Sequence, residues 1–367
     1  LPAPPPPPHP LPLPFLMIRR PPRSTHCISS AASDVYKRQV LHRHSAKAAV
    51  VSWKPADLVN KLEKLLAALS NVKDGEVLQD KDFTVSLNVK KPNVAIVFPG
   101  QGSQQANMGS KLYRRHQWAK DMVNDADRVL AKEDLSIEGG IFHKNLHKQR
   151  PEAIAKVLEN IKQTEFSQPS IVLNSALWMT RLKKLGIKAN AVAGHSLGEL
   201  TALWAAGSIS FQDLIQMATL RGRFMSAKGD AAGSMAFLGC TRIQAEELLS
   251  RVDGYLTIAN LNSDGQTIVS GDKQAIQDLI KLAESSGLRS KELSVSNAFH
   301  SKYMDEASQK FAAALKDKSI SAPKMKLYSG LTAKELGDED LSAYLAKQML
   351  GEVNYIGMIR HIAESHN

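Results

Sequence analysis

The stretch Ala191-Val192-Ala193-Gly194-His195-Ser196-Leu197-Gly198-Glu199-Leu200 decides how this chain is read. A short apolar run ends in a serine with glycine two places before it and two places after it, and a helix-like segment continues to Ala206. That is the pattern of a nucleophile elbow, where the backbone turns from strand to helix so sharply that only hydrogen fits beside the serine. The pattern puts the Ser196 hydroxyl in a cleft. The amides of the following helix point at the same place, so an oxyanion formed on a carbonyl attacked by Ser196 meets the positive end of a dipole. A glycine-rich turn that happens to contain serine is the bland alternative, and the flanking strand and helix patterns count against it.

Outward from the elbow, the chain alternates between strand and helix patterns. Asn93 to Phe98 is almost wholly apolar, as in a strand buried on both faces of a parallel sheet, and a turn-rich loop from Pro99 to Gln105 follows. Helical spacing predicts helices over 110–130 and 168–185, the second stopped by Gly186, and two more between the elbow and about Lys228. From 233 to 294 the rhythm becomes βαββαβ, the order of a ferredoxin-like unit. Helical patterns return at 301–316 and 339–350, with a strand at 325–328 between them. The expected fold is therefore α/β: a hydrolase-like parallel-sheet core, residues 93–232 plus 295–367, with an inserted ferredoxin-like small domain at 233–294. Residues 46–92 read as a linker-like helix and strand. The last residues look like mid-helix, which suggests that the core is truncated at its C-terminus.

Composition narrows the function classes. The net charge of +11 is unevenly placed, because residues 1–45 hold six Arg or Lys against one Asp. The same segment holds eleven of the 17 prolines and is read as non-native or disordered, outside the fold. The mild basicity left over suits an acidic protein partner, and no motif of a nucleic-acid reader is present. No run of 18 apolar residues predicts a membrane span. Two cysteines, Cys27 and Cys240, make neither a disulfide framework nor a metal site, and fit a reducing compartment, cytoplasmic or inside a plastid or mitochondrion.

A serine hydroxyl needs a base within hydrogen-bond reach. Of the 11 histidines, His300 is the best candidate, because it lies where the chain leaves the predicted small domain and a loop can project over the main cleft. A solvated loop histidine is the ordinary alternative.

Five motifs in order carry a resemblance. Phe98-Pro99-Gly100-Gln101-Gly102-Ser103-Gln104, Gln168-Pro169-Ser170, the elbow, Arg221-Gly222-Arg223-Phe224-Met225 and Asn297-Ala298-Phe299-His300 resemble those of malonyl-CoA:acyl carrier protein transacylases and of polyketide, fatty-acid and polyunsaturated-fatty-acid synthase acyltransferase domains. The resemblance implies that Ser196 is malonylated and that His300 is its base. In that family a backbone carbonyl orients the histidine, and the matching position is Gln348. The amides of Gln101 and Leu197 would form the oxyanion hole. Arg221, otherwise read as a surface arginine, would bind the free malonyl carboxylate; His195 would line the acyl pocket, and Asn260 and Asn262 would approach the bound thioester from the inserted domain.

The implied reaction is that of an acyl-carrier-protein S-malonyltransferase, in fatty-acid or polyketide synthesis. Its partners are malonyl-CoA and an acyl carrier protein, with Arg289 and Lys291 as candidate carrier contacts, and neither nucleic acid nor membrane. No metal or other cofactor is implied, coenzyme A thioester being substrate. A serine hydrolase or acyl-CoA thioesterase is one alternative. Another is an acyltransferase fragment of a multidomain synthase, set against a free-standing monomer. A scaffold domain without activity fits poorly with intact Ser196, His300, Gln101 and Arg221.

Overall fold

The computed structural model describes residues 46–52, 54–89, 92–136, 151–226, 233–295, 297–337 and 339–365. Two compact units divide the chain, one up to Lys91 and one from Pro92 onward. In the first, β1 (Ala46–Val50), β2 (Val77–Gln79) and β3 (Phe83–Leu87) form an antiparallel sheet in the order β1-β3-β2. Helix α1 (Pro55–Leu69) begins on proline, and Leu65 packs with Phe83 and Val85. The helix and third strand agree with the sequence reading. The other two strands are additional, since three-residue and alanine-rich segments carry little alternation to recognise.

The second unit contains a parallel sheet, β10-β5-β4, formed by β4 (Ala95–Phe98), β5 (Ala191–Gly194) and β10 (Lys326–Tyr328). Strand β5 is central, and all four of its residues are buried. Short alanine and valine side chains suit that position, because helices cover a parallel sheet on both faces. The strand runs directly into Ser196, so the serine sits at the carboxyl end of the middle strand, where ligands of open α/β sheets bind. Helix α6 (Gly198–Ala205) follows at once and is buried along most of its length through Leu200, Ala202 and Leu203.

Between β4 and β5 come α2 (Ser110–Arg115), α3 (Gln117–Ala131), α4 (Pro151–Asn160) and α5 (Thr164–Lys184). The single helix expected over 110–130 is two helices, broken at His116, whose backbone is extended (φ −131°, ψ 128°). Its ring stacks on Trp118, and neither glycine nor proline marks the break. Helix α5 starts four residues earlier than its expected position and contains Pro169 near its beginning; it ends before Gly186, which has φ 84°. After α7 (Phe211–Phe224), the predicted stretch to Lys228 passes at 227 outside the described residues.

Residues 234–292 form β6 (Ser234–Leu238), α8 (Arg242–Leu249), β7 (Leu256–Ser263), β8 (Gln266–Gly271), α9 (Lys273–Ser285) and β9 (Ser290–Glu292). Their sheet is antiparallel, in the order β7-β8-β6-β9, and its two helices pack Ala245, Leu248, Ile276 and Leu279 against it. The chain then returns through a 3₁₀ turn (Lys302–Met304), α10 (Asp305–Leu315), β10, α11 (Leu341–Gln348) and α12 (Tyr355–Ser365).

The elbow depends on two backbone contacts. A Cβ on Gly194 would lie 2.1 Å from the Glu199 nitrogen, and one on Gly198 would lie 2.1 Å from the Phe98 carbonyl oxygen. Neither neighbour is the movable end of a side chain. Between the two glycines, Ser196 is held at φ 49°, in the left-handed region that a serine adopts only when its surroundings impose it. Gly194→Ala and Gly198→Ala are each expected to lower stability by ~3 kcal/mol, read as a shift in urea midpoint. Gly265→Ala, where a Cβ meets nothing within 4 Å, is the control and should stay within ~0.5 kcal/mol.

Candidate active site

Three separate segments meet at Ser196. The elbow presents its hydroxyl; the loop after the antiparallel sheet presents His300, itself at φ 56°; and the last turn of α7 presents Arg221. The Ser196 Oγ lies 2.7 Å from His300 Nε2, and His300 Nδ1 lies 2.9 Å from the Gly351 carbonyl oxygen. A carbonyl only accepts, so Nδ1 carries the proton, Nε2 is the free lone pair, and the serine donates to it. That is the tautomer a general base requires. The carbonyl facing the ring at hydrogen-bond distance is thus Gly351's. Gln348, the position carried over from the resemblance, contributes its own carbonyl as a second favourable interaction, while its side chain turns elsewhere.

His300 is 4% exposed, and burial holds its pKa down to about 3. The positive charge of Arg221 and then His195 push in the same direction, against the Gly351 and Gln348 carbonyls. A neutral imidazole at physiological pH is the result.

Arg221 is 2% exposed, yet the groups that hold it are all uncharged. Nη1 donates to Gln168 Oε1 at 3.1 Å, and Nη2 donates to Ser196 Oγ at 3.3 Å and, at the limit of a hydrogen bond, to Gln348 Oε1 at 3.5 Å. Burial lowers its pKa to about 10, so it remains a cation. Among the described residues no carboxylate forms an ion pair with it. The sequence reading of an ordinary surface arginine does not apply: Gly222, whose Cβ would lie 2.6 Å from the Thr164 carbonyl oxygen, lets α5 close over this end of α7.

His195 Nε2 lies 2.8 Å from Asn262 Oδ1, and its ring is tilted against Tyr355 at 5.3 Å. Burial lowers its pKa, against the Asn262 contact. Asn260 is buried on β7, where the chain is tied to Val353 by Leu261 N and Ala259 O, and among the described residues its side chain makes no bond to Ser196, His300 or Arg221. Gln101, on the loop after β4, donates to Thr164 Oγ1 at 3.2 Å and accepts from Gln168 at 3.3 Å. Leu197 is fully buried at the start of α6. Arg289 and Lys291 are exposed.

Sequence reasoning missed Gln168 as an Arg221 ligand, Gly351, and Glu199. The first and last lay inside quoted motifs, and a charged residue three positions after the serine, opening an otherwise apolar helix, was the available signal for Glu199. A backbone carbonyl such as that of Gly351 has no sequence signature.

The family model for the acyl transferase domain matches residues 95–365. The chain belongs to the acyl transferase domain family. The polyketide biosynthesis malonyl CoA-acyl carrier protein transacylase BaeC of Bacillus velezensis is 34% identical over 279 residues, 74% of this chain and 89% of that protein. The crystal structure of the malonyl CoA-acyl carrier protein transacylase of Clostridium perfringens aligns with TM-score 0.66 and 28% identity, over 74% of this chain and 83% of that one. The acyltransferase domain of the second module of the salinomycin polyketide synthase shares the fold with TM-score 0.71 at 23% identity, over 92% of this chain and 74% of its own. Among the described residues no helix is long and apolar enough to cross a membrane.

The depressed basicity of His300 gives a direct check. Its folded pKa lies below the ordinary 6.5, so between that value and about 3 the unfolded chain binds a proton that the native acyltransferase refuses, and stability is lost as pH falls across that window. Imidazole nitrogen NMR is expected to show His300 neutral at about pH 5, and His300→Gln to flatten the stability slope there. An imidazolium signal for His300 at that pH would contradict the burial argument.

Proposed function

We propose that this acyltransferase moves the malonyl group from malonyl-CoA to the phosphopantetheine thiol of an acyl carrier protein through a malonyl ester on Ser196. The observation that carries this reading is Arg221: a buried cation, 3.3 Å from the nucleophile, bonded among the described residues only to neutral partners. A buried charge without a counter-ion is costly, and a substrate that supplies the carboxylate removes the cost. An acetyl group has nothing to offer it.

His300 Nε2 takes the Ser196 proton as Oγ attacks the thioester carbonyl. The carbonyl electron pair moves to oxygen, and the amides of Gln101 and Leu197 are suited to receive it, one from each loop at the carboxyl edge of the sheet. Collapse of the adduct breaks the carbon–sulfur bond, and the imidazolium returns its proton to the coenzyme A thiolate. The carrier thiol then gives its proton to His300, sulfur attacks the malonyl ester, and Ser196 leaves with the proton. Bonds and protons balance over the two halves with no redox or metal cofactor. A carboxylate docked on Arg221 also cancels one of the charges that, after burial, depress His300, so malonyl binding relieves part of that depression when the base is needed.

The Gly351 carbonyl, a neutral orienter of the base, suits a thioester, which is already activated. For the carrier, which must present a thiol at the cleft, exposed Arg289 and Lys291 offer a basic surface. The core is hydrolase-like in placing its nucleophile after the central parallel strand. The strand order of residues 233–294 supports a ferredoxin-like unit inserted into a core of 93–232 plus 295–367. A synthase domain is the second reading, favoured by the fold likeness over 92% of the chain, a share that reaches into the unit before Pro92.

Incubation with malonyl-CoA is expected to give a covalent adduct by intact-protein mass spectrometry, released on adding carrier protein and absent in Ser196→Ala. Arg221→Met should slow malonyl loading ~100-fold and leave acetyl loading nearly unchanged, as removal of a buried charged partner costs ~3 kcal/mol. Equal losses on both donors, or steady release of free malonate with no adduct, would refute the assignment.

A further inference from the structure

Glu199 is buried to the same degree as Arg221, at 2% exposure, and the transfer reaction leaves it without a task. It lies on the first turn of α6, three residues past the nucleophile. Its Oε1 accepts from the Gly330 amide at 3.2 Å and from Gln348 Nε2 at 3.3 Å, and its Oε2 accepts from the Tyr344 hydroxyl, which also meets Ser329 Oγ at 2.6 Å. Space for the carboxylate is made by the absence of a side chain at 330, where a Cβ would lie 2.9 Å from Oε1.

The Gln348 amide stands between this anion and Arg221. An amide has one accepting and one donating end, and which end faces which neighbour is set by those neighbours. Glu199 accepts only, so it takes the Gln348 NH₂ and turns the carbonyl toward the guanidinium. Were the amide reversed, two donors would face each other across a buried gap.

We propose that Glu199 is a positioning residue for substrate selection: through Gln348 it fixes the acceptor that holds the Arg221 guanidinium, without itself neutralising the charge. A carboxylate placed directly on Arg221 would occupy the position that the dicarboxylic acyl group is to take. One amide of separation keeps the anion close enough to help retain a buried cation and too far to pair with it. Burial raises the Glu199 pKa to about 7 even against the three donors and the charge of Arg221. Protonated, the group still presents one oxygen as acceptor.

This inference rests on the reading of Arg221 as the carboxylate site. It is tested by single-turnover acylation of Ser196 with malonyl-CoA and acetyl-CoA separately, in the wild type, Glu199→Met, Glu199→Gln, Gln348→Met and Arg221→Met. Methionine fills the space at 199 without an acceptor. Glutamine keeps an oxygen for Gln348 and Gly330, and its amide nitrogen can donate to the Tyr344 oxygen once that hydroxyl turns to Ser329. The expected result is a malonyl-over-acetyl preference lowered ~10-fold in Glu199→Met, through the malonyl concentration dependence and not the maximal rate, and restored in Glu199→Gln. Gln348→Met should show the same loss, and decides the matter if Glu199→Met does not fold. A preference unchanged in Glu199→Met and Gln348→Met, with Arg221→Met losing it, overturns this inference alone. Equal slowing of both donors in the position-199 variants also overturns it, because that is what a purely structural role gives. A preference unaffected by Arg221→Met overturns the underlying reading instead.

Discussion

Gly194 and Gly198 close on the neighbouring backbone within a distance that leaves no room for a Cβ, and much else in the site follows from that constraint. The contact forces the turn, the turn puts Ser196 in the left-handed region, and α6 must then start immediately behind the hydroxyl. The strain is stored where the chemistry is and is held by the surrounding core: Leu197, Leu200 and Leu203 are essentially inaccessible to solvent, so the helix cannot relax outward. The same turn places Glu199 inside the protein, one helical turn beyond the nucleophile.

The electrostatics of the site follow from burial. Arg221, Glu199 and His300 are all removed from water, where charges interact strongly and each must find compensation. Glu199 receives three donors, His300 stays neutral on a backbone carbonyl, and among the described residues Arg221 is met only by two glutamine amides and the serine. In the proposed reading, that asymmetry separates an acyl transferase that requires a carboxylate from one that would serve any acyl chain. In the proposed reaction it also couples substrate to base, since the charge proposed to recruit malonyl is one of those that weaken His300.

The elbow was legible in the sequence because its causes are local: two glycines, an apolar strand and a helix with little polar surface. The alternation of strands and helices was legible for the same reason, down to the four strands and two helices of residues 234–292. Pairings across the chain were of another kind. Ser196 and His300 are 104 residues apart, and their meeting was expected from a resemblance and not from spacing. The Gly351 carbonyl joins that of Gln348 at the His300 ring because helix α11 ends at Gln348 and Gly351 follows three residues later, a detail of backbone path that side-chain identity does not encode. The break at His116 was invisible because an extended residue between two helices needs neither glycine nor proline. Arg221 looked like a surface residue because the glycine beside it, which lets another helix cover it, has many other uses.

The central claim is that an unpaired buried guanidinium selects the acyl group. The most direct measurement is a crystal structure of the acyl-enzyme formed by brief exposure to malonyl-CoA without carrier. The account predicts an ester on Ser196 whose free carboxylate is bound by both terminal nitrogens of Arg221, with Glu199 and Gln348 unmoved. An ester whose carboxylate points to solvent, with Arg221 still held by Gln168 and no nearer to it, would contradict the account.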